Sequence, residues 1–384
     1  MTSSSDYEGK KSILDLEMSP TTRAIATPTP NDVGPNSDGD DSVPRAPKMP
    51  RSDVWNFFKK INVTRNEHGS IGVCFGMLGD NLPSPADVVA LYKKNNINSM
   101  RIFNPDPAVL NALQQSGINL AIGTTNGDIP NLAVSPNAAL QWVNTNIVPY
   151  PDVKFQYLTV GNEAIPGENA QYIAPAMKNL RDALNSLQLG AISVTTVVPS
   201  TVLGTSYPPS AGSFSSETIS DMTNIISYLA TYEPENPKRT LMVNVYPYFA
   251  YVADPVHVSL NFAQFTATAP AFNDTGLQYW NLFDAMVDSF YSAMERVGGT
   301  NVAIAISESG WPSAGNGEFT TTALAQTYNS NLMNHVAKGG TPKRPTDLLD
   351  SFLFAMFNED QKQPGVEQNF GLFYPNEQPV YPLF

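Results

Sequence analysis

Short apolar runs alternate with segments of helical periodicity from Gly69 to the end of the chain. The apolar runs predict eight strands, at 70–75, 99–103, 119–124, 155–161, 192–198, 241–246, 302–307 and 351–357. The segments between them predict helices at 84–95, 105–115, 137–148, 169–188, 216–232, 276–297 and 322–338. Because strands and helices alternate strictly over eight strands, the pattern predicts a closed parallel (β/α)8 barrel, or TIM barrel.

Residues 1–69 have a different composition, with scattered Ser, Thr, Pro, Asp and Gly and almost no apolar periodicity. This composition is typical of a disordered tail. Within it, the segment 51–60 resembles the opening of a BED-type zinc finger, although the Cys and His ligands of such a finger do not follow. We interpret this fragment as a remnant without function or as a short partner-binding helix. The predicted organisation is a tail over 1–69 and one barrel domain over 70–384.

Charge and cysteine content exclude several functional classes. The formal net charge of the 384 residues is -13, which argues against binding nucleic acid or an anionic membrane and suits a neutral substrate. Cys74 is the only cysteine and the chain has three histidines, so neither a disulfide framework nor a Cys/His zinc site can be assembled. No metal and no cofactor are expected.

The sequence also shows no feature that would place it in a membrane. No apolar run reaches the ~18 residues of a membrane span, and no signal-peptide pattern is found at the N-terminus. We therefore expect no membrane partner, and a monomer is the default expectation for the oligomeric state.

Two of the predicted strands end on a glutamate. The run Val302-Ala-Ile-Ala-Ile-Ser-Glu308 stops at Ser-Gly-Trp311-Pro, and the run from Phe155 stops at Gly-Asn162-Glu163. In a parallel barrel the active site forms at the carboxyl ends of the strands, so both glutamates are expected there. A single such glutamate is often a helix cap or a salt-bridge partner, but two of them point to paired acid/base chemistry, as in glycoside hydrolysis.

The residues around these glutamates carry a resemblance to a known family. The matching segments are Ile71-Gly-Val-Cys-Phe75-Gly, Asn81-Leu-Pro-Ser-Pro85, Met100-Arg101-Ile102, Val160-Gly-Asn162-Glu163, Val243-Asn244-Val-Tyr246-Pro247-Tyr248, Ser307-Glu308-Ser-Gly-Trp311-Pro312, Phe357-Asn358-Glu359-Asp-Gln-Lys362, Glu367-Gln-Asn-Phe-Gly371-Leu-Phe and Pro379-Val-Tyr-Pro. Over 71–384 the chain resembles plant glycoside hydrolase family 17, the endo-β-1,3-glucanases. The resemblance implies a β-1,3-glucan substrate, Glu163 as the proton donor and Glu308 as the nucleophile of a retaining mechanism.

Further site residues are expected around this pair. By physical reasoning, Asn162 would bind a sugar hydroxyl and Tyr246 would orient the nucleophile. Glu359 and Lys362 resemble additional active-site charges of the family, although an ordinary surface ion pair at this i, i+3 spacing is the alternative. Aromatic residues at the predicted barrel opening are candidates for stacking on the flat faces of sugars, with packing in the core as the alternative for each. Those expected to bind substrate are Phe103, Tyr246, Trp311 and Phe357. For Phe75 and Phe373 we expect packing in the core.

The chain departs from the family pattern in two places. Phe75 and Phe103 stand where tyrosine is usual, so one or two hydroxyls expected near the site are missing. Family members begin with a signal peptide and are secreted to the cell wall or vacuole, whereas here residues 1–69 occupy that place. The alternatives left open are cleavage of mixed β-1,3-1,4-glucan and a non-catalytic glucan-binding protein. The sequence also leaves open whether the biological role is defence or remodelling of plant glucans.

Overall fold

The computed structural model describes residues 69–234 and 239–384. The predicted disordered tail and the fragment at 51–60 lie outside the described residues. Eight parallel strands are β1 (Ile71–Cys74), β2 (Ser99–Ile102), β3 (Asn119–Gly123), β4 (Lys154–Asn162), β5 (Ser193–Val198), β6 (Thr240–Asn244), β7 (Ala303–Ser309) and β8 (Ser351–Leu353). They close into a barrel in sequence order, with β8 paired to β1. The predicted (β/α)8 barrel is confirmed.

Helices follow the strands on the outside of the barrel. They are α1 (Pro85–Lys94), α2 (Pro107–Leu113), α3 (Ile129–Val134), α4 (Pro136–Asn146), α5 (Ala170–Ser186), α6 (Ile219–Thr231), α7 (Pro247–Ala253), α8 (Leu260–Ala263), α9 (Leu282–Arg296) and α10 (Thr322–Val336). The start of α1 shows the local cause of this pattern. Ser84 accepts a hydrogen bond from the backbone N–H of Asp87, and Pro85 occupies the first helical position, where a missing N–H costs nothing.

Two predicted elements differ more than the others from the structure in extent. The helix predicted over 276–297 begins only at Leu282, because Phe272–Asp274 and Leu277–Tyr279 pair as an antiparallel hairpin. Asn281 then caps α9 by accepting from the N–H of Asp284. The strand predicted over 351–357 ends at Leu353. A second short hairpin, formed by Leu203–Thr205 and Ser213–Phe214, lies between β5 and α6.

The core has two parts, one between the barrel and its helices and one inside the barrel. The interior part is built from small and unbranched side chains together with aromatic rings, including Ala121, Met242, Ala305 and Phe352. Among the described residues, no helix is both long and apolar enough to cross a membrane.

The carboxyl ends of two strands are irregular where the glutamates lie. The pairing of β4 with β5 shifts in register between Thr159 and Asn162, and that of β7 with β6 shifts between Ile306 and Glu308. Such irregularities bend a strand and redirect its side chains, and they are common next to active sites.

Candidate active site

Glu163 follows the last residue of β4 in a tightly constrained turn. Its φ angle is 52°, and that of Gly161 is 72°. A Cβ atom at Gly161 would lie 2.7 Å from Oδ1 of Asn126, which leaves room for glycine alone. Asn126 holds the turn by accepting from the N–H of Asn162 at 2.8 Å and donating to its carbonyl at 2.9 Å. The turn keeps the partly exposed Glu163 at the open end of the barrel.

Glu308 lies within β7 and has two side-chain partners, one on each carboxyl oxygen. It is 6% exposed. Its Oε1 is 2.6 Å from Nη1 of Arg101, and its Oε2 accepts a hydrogen bond from the hydroxyl of Tyr246 at 2.8 Å. Burial and the neighbouring Glu308 charge raise the pKa of Tyr246 well above its usual range, so the phenol stays protonated and donates. The predicted contact of Tyr246 with Glu308 is present in the structure.

Arg101 is a residue of the site whose contacts the sequence did not predict. It comes from β2, is 1% exposed, and donates from Nη2 to Oδ1 of Asn162 at 2.9 Å while Nη1 binds Glu308. Its guanidinium carbon also lies 4.2 Å from the centre of the Phe103 ring. Arg101 thus links the strand end that carries Glu163 to the nucleophile candidate on β7. Because Oδ1 of Asn162 is occupied, its amide nitrogen is the group left to meet a sugar hydroxyl.

The pKa of Glu163 is raised to about 7. The causes are removal of the carboxyl from water first and the nearby charge of Glu308 second, and they outweigh the hydrogen bond from Asn244 and the charge of Arg101. A carboxyl with a pKa near neutrality can both donate and accept a proton at physiological pH, which is the property that a general acid/base needs. Two glutamates in contrasting surroundings are therefore brought to one end of the barrel.

Glu359 and Lys362 form an ion pair of 3.0 Å beyond β8, in which Glu359 is buried and Lys362 is partly buried, so the alternative of an exposed surface pair is wrong. Glu359 also accepts from the N–H of Leu78 at 2.9 Å. Glu367 is a further acid near the site, since burial, together with the charges of Glu308 and Glu359, raises its pKa against the opposing effect of Lys362. The charge interaction of Glu367 with Glu308 extends the acidic cluster beyond the pair that the sequence predicted.

Two of the four expected stacking platforms require correction. Trp311 is completely buried, and its indole N–H donates to the carbonyl of Phe319 at 2.9 Å. Phe357 is buried too, with its ring packed edge-on against Phe75 at 6.1 Å. Neither ring is free to stack on a sugar, because neighbouring residues cover both of them. The packing expected of Phe75 is confirmed.

Phe103 and Tyr246 remain partly exposed at the barrel opening. Both pack edge-on against Phe354, at 6.3 and 6.2 Å between ring centroids. Tyr246 also packs against Phe249 and Phe370. These rings form an aromatic floor that was not predicted from the sequence. Phe354 belongs to the run predicted as the eighth strand, and Phe370 belongs to a separate segment near the C-terminus.

A parallel barrel that carries a glutamate of raised pKa and an arginine-paired glutamate at the carboxyl ends of its strands has the architecture of a glycoside hydrolase. Within residues 69–234 and 239–384, no group of three or more His, Cys, Asp or Glu side chains could hold a metal ion.

Comparison with known proteins agrees with this class. Residues 71–383 match the family described as Glycosyl hydrolases family 17. A glucan endo-1,3-beta-glucosidase of Vitis vinifera is 47% identical over 321 residues, covering 82% of this chain and 91% of that protein. Lichenase-2 of Hordeum vulgare is 46% identical over 314 residues, covering 82% and 98%.

Solved structures give the same result. One of two plant beta-glucan endohydrolases with distinct substrate specificities is 46% identical, has a TM-score of 0.77, and is matched over 81% of this chain and 99% of its own. The chain therefore belongs to glycosyl hydrolase family 17, and the protein is a glycoside hydrolase.

Proposed function

We propose that this protein hydrolyses internal β-1,3-glucosidic bonds with retention of configuration, with Glu163 as general acid/base and Glu308 as nucleophile. The observation that carries the assignment of roles is the contrast between the two carboxyls. Glu163 has a pKa raised to about 7, whereas Glu308 receives an ion pair and a phenolic hydrogen bond, from Arg101 and Tyr246. Giving one carboxyl surroundings that favour its protonated form, and the other a cation and a hydroxyl donor, is a usual means of separating the acid from the nucleophile.

In the first step, a carboxylate oxygen of Glu308 attacks the anomeric carbon and forms an ester. The bond from that carbon to the bridging oxygen breaks, and protonated Glu163 gives its proton to the departing oxygen. Arg101 and Tyr246 hold the Glu308 carboxylate in position for the attack. In the second step, ionised Glu163 takes a proton from water, the water oxygen attacks the anomeric carbon, and the ester bond to Glu308 breaks. Both residues are then restored.

The names of relatives and the aromatic floor at the barrel opening support the proposed substrate class. The relative from Vitis vinifera is named for glucan endo-1,3-beta-glucosidase activity. The partly exposed rings of Phe103 and Tyr246 are suited to the flat, apolar faces of glucose units. The amide nitrogen of Asn162, beside the acid/base, is suited to a sugar hydroxyl.

The test is the release of reducing ends from laminarin, a β-1,3-glucan, by wild type, Glu163→Gln and Glu308→Gln. We expect activity in the wild type and a loss of at least ~10²-fold in each variant. Full activity in Glu308→Gln would refute the assignment of the nucleophile. Laminarin binding without turnover by the wild type would support the alternative of a non-catalytic binder.

Mixed β-1,3-1,4-glucan is a second candidate substrate, because Lichenase-2 is nearly as similar to this chain as the 1,3-glucosidase is. The same variants assayed on barley β-glucan decide between the two substrates. A kcat/KM for laminarin well above that for barley β-glucan supports the first candidate, and the reverse order supports the second.

A further inference from the structure

Asn244 is the last residue of β6, and its side chain is buried beside the two glutamates. Only 2% of the residue is exposed. Its Nδ2 donates to Oε1 of Glu163 at 2.7 Å and lies 3.5 Å from Oδ1 of Asn162. Its own Oδ1 accepts no hydrogen bond from any described residue. The buried amide of Asn244 is therefore directed at the acid/base candidate.

The orientation of this amide follows from its neighbours. Oδ1 of Asn162 already accepts from Nη2 of Arg101, and Oε1 of Glu163 is a carboxyl oxygen. Both groups that face Asn244 are acceptors, so the amide nitrogen is assigned to their side and the oxygen to the other.

The strand holds Asn244 in a fixed place relative to the nucleophile. Asn244 pairs in register with Glu308 across β6 and β7, and the N–H of Val245 donates to the carbonyl of Glu308 at 2.9 Å. On the other side, the hydroxyl of Ser200 donates to the carbonyl of Asn244 at 3.3 Å. The amide that contacts Glu163 is thus built on the strand that pairs directly with the strand carrying Glu308.

Within the described part of the chain, no other side chain donates a hydrogen bond to the carboxyl of Glu163. The backbone turn fixes the main chain of Glu163, and the hydrogen bond from Asn244 fixes the carboxyl group at the end of its flexible side chain. Holding a catalytic group in one orientation contributes substantially to rate, and a displacement of about 1 Å can cost roughly 10²-fold.

We propose that Asn244 is a positioning residue for Glu163, which orients the carboxyl at the barrel opening and stabilises the carboxylate that forms when Glu163 gives up its proton. This proposal rests on the proposed function, since it requires Glu163 to be the acid/base. A donor such as the Asn244 amide stabilises a carboxylate, and the second step needs Glu163 in that form to accept a proton from water.

Of the other groups that face Glu163, some favour its protonated form and others favour its ionised form. Glu308 from β7 and Glu367 from the C-terminal segment favour the protonated carboxyl by charge repulsion, and Arg101 from β2 favours the ionised form. The phenol of Tyr246, on the loop after β6, remains neutral. Removal of the Asn244 donor alone therefore shifts the balance toward the protonated form.

The experiment replaces Asn244 with leucine, which has a similar size and no donor, and with the smaller alanine, which also has no donor, in case Asn244→Leu does not fold. Asn329→Leu is the matched control. Asn329 on α10 is also a fully buried asparagine, which donates to the hydroxyl of Tyr381 at 2.7 Å and has an Oδ1 without a described donor. Its replacement should lower the melting temperature without changing the surroundings of Glu163.

In Asn244→Leu we expect the apparent pKa of the alkaline limb of the kcat/KM profile on laminarin to rise by about one pH unit. We also expect kcat to fall by roughly tenfold or more. Asn329→Leu should keep the wild-type pKa of this alkaline limb. An Asn244→Leu or Asn244→Ala enzyme with the wild-type alkaline limb and wild-type kcat would overturn the proposal.

A titration of the Glu163 carboxyl by infrared difference spectroscopy, against Glu163→Gln, needs no substrate and separates this proposal from the proposed function. If the wild type does not cleave laminarin, the proposed function fails and the titration still measures the effect of Asn244. A higher Glu163 pKa in the Asn244→Leu background supports the donor role, and an unchanged value contradicts it.

Discussion

Arg101 and Glu308 form a buried ion pair of 2.6 Å between β2 and β7, two strands that are separated in the barrel by β1 and β8. The second nitrogen of the same guanidinium binds Asn162. One cation therefore fixes both the proposed nucleophile and the residue next to the proposed acid/base. This arrangement makes the geometry of the pair depend on a residue that reaches the site from a third strand.

We predict that Arg101→Met lowers kcat/KM on laminarin by about 10²-fold or more, because Glu308 loses its counter-charge and Asn162 loses its anchor. Loss of one partner of a buried pair also costs about 3–5 kcal/mol of stability. Arg181→Met is the matched control, since Arg181 is equally buried and pairs with Glu233 away from the cleft. It should lose stability similarly while keeping kcat per folded molecule. Equal losses of kcat in both variants would show that Arg101 acts only through stability.

The pH dependence of kcat/KM should reflect the ionisation of Glu163. Its pKa is raised to about 7 by burial first and by Glu308 second, and the first step uses its protonated form. Activity should therefore fall as the pH rises through about 7. The profile of kcat/KM, measured in buffers of constant ionic strength, checks this limb. A rate that stays flat from pH 6 to 9 would contradict the role of Glu163 as the acid.

The same carboxyl should lower the stability of the fold at alkaline pH. Its pKa rises from the ordinary value of 4.5 to about 7 on folding, so the folded state binds more protons than the unfolded state between these values. The penalty is absent below the lower value, grows across the window and is complete above the upper one. We predict that Glu163→Gln raises the free energy of unfolding at pH 8 by on the order of 2 kcal/mol and leaves it unchanged at pH 4. Urea denaturation at the two pH values measures the difference, and an equal effect at both would contradict it.

Phe75 and Phe103, the two phenylalanines at which the chain departs from the expected family pattern, should respond differently to an added hydroxyl. Phe103 is partly exposed, so Phe103→Tyr can keep its hydroxyl hydrated and should fold as stably as the wild type. Phe75 is buried against Phe357, and Phe75→Tyr should lose about 1–3 kcal/mol unless the hydroxyl finds a partner. Thermal unfolding of the two variants side by side makes the comparison. Equal melting temperatures would mean that the site of Phe75 can satisfy a hydroxyl.

The barrel and the positions of Glu163 and Glu308 could be predicted because both are local signals. Each glutamate ends an apolar run, and the alternation of runs and helices requires no knowledge of distant contacts. Arg101 could not be given its contacts in this way, because its partner Glu308 is 207 positions away and a buried arginine in an apolar strand has no local signature. Asn244 is similarly 81 positions from Glu163.

The expectation for Trp311 failed for the opposite reason. Its closeness to Glu308 in sequence suggested a place in the cleft, but the chain turns after β7 and buries the indole against Tyr248, Tyr251 and Tyr328. Closeness along the chain fixes the strand end and leaves the direction of the next side chains to tertiary packing. The aromatic floor around Phe354 shows the same limit, since Phe103, Tyr246 and Phe370 reach it from three separate segments.

The central claim is that Glu308 forms a covalent bond with the sugar. The most direct measurement is peptide mapping by mass spectrometry after incubation with a 2-deoxy-2-fluoro-β-laminaribiosyl fluoride, whose fluorine at C2 slows breakdown of the ester. The account predicts one added glycosyl group, located on Glu308 and absent from Glu308→Gln. A label on Glu163 or another residue, or no label under conditions where the wild type hydrolyses laminarin, would contradict it.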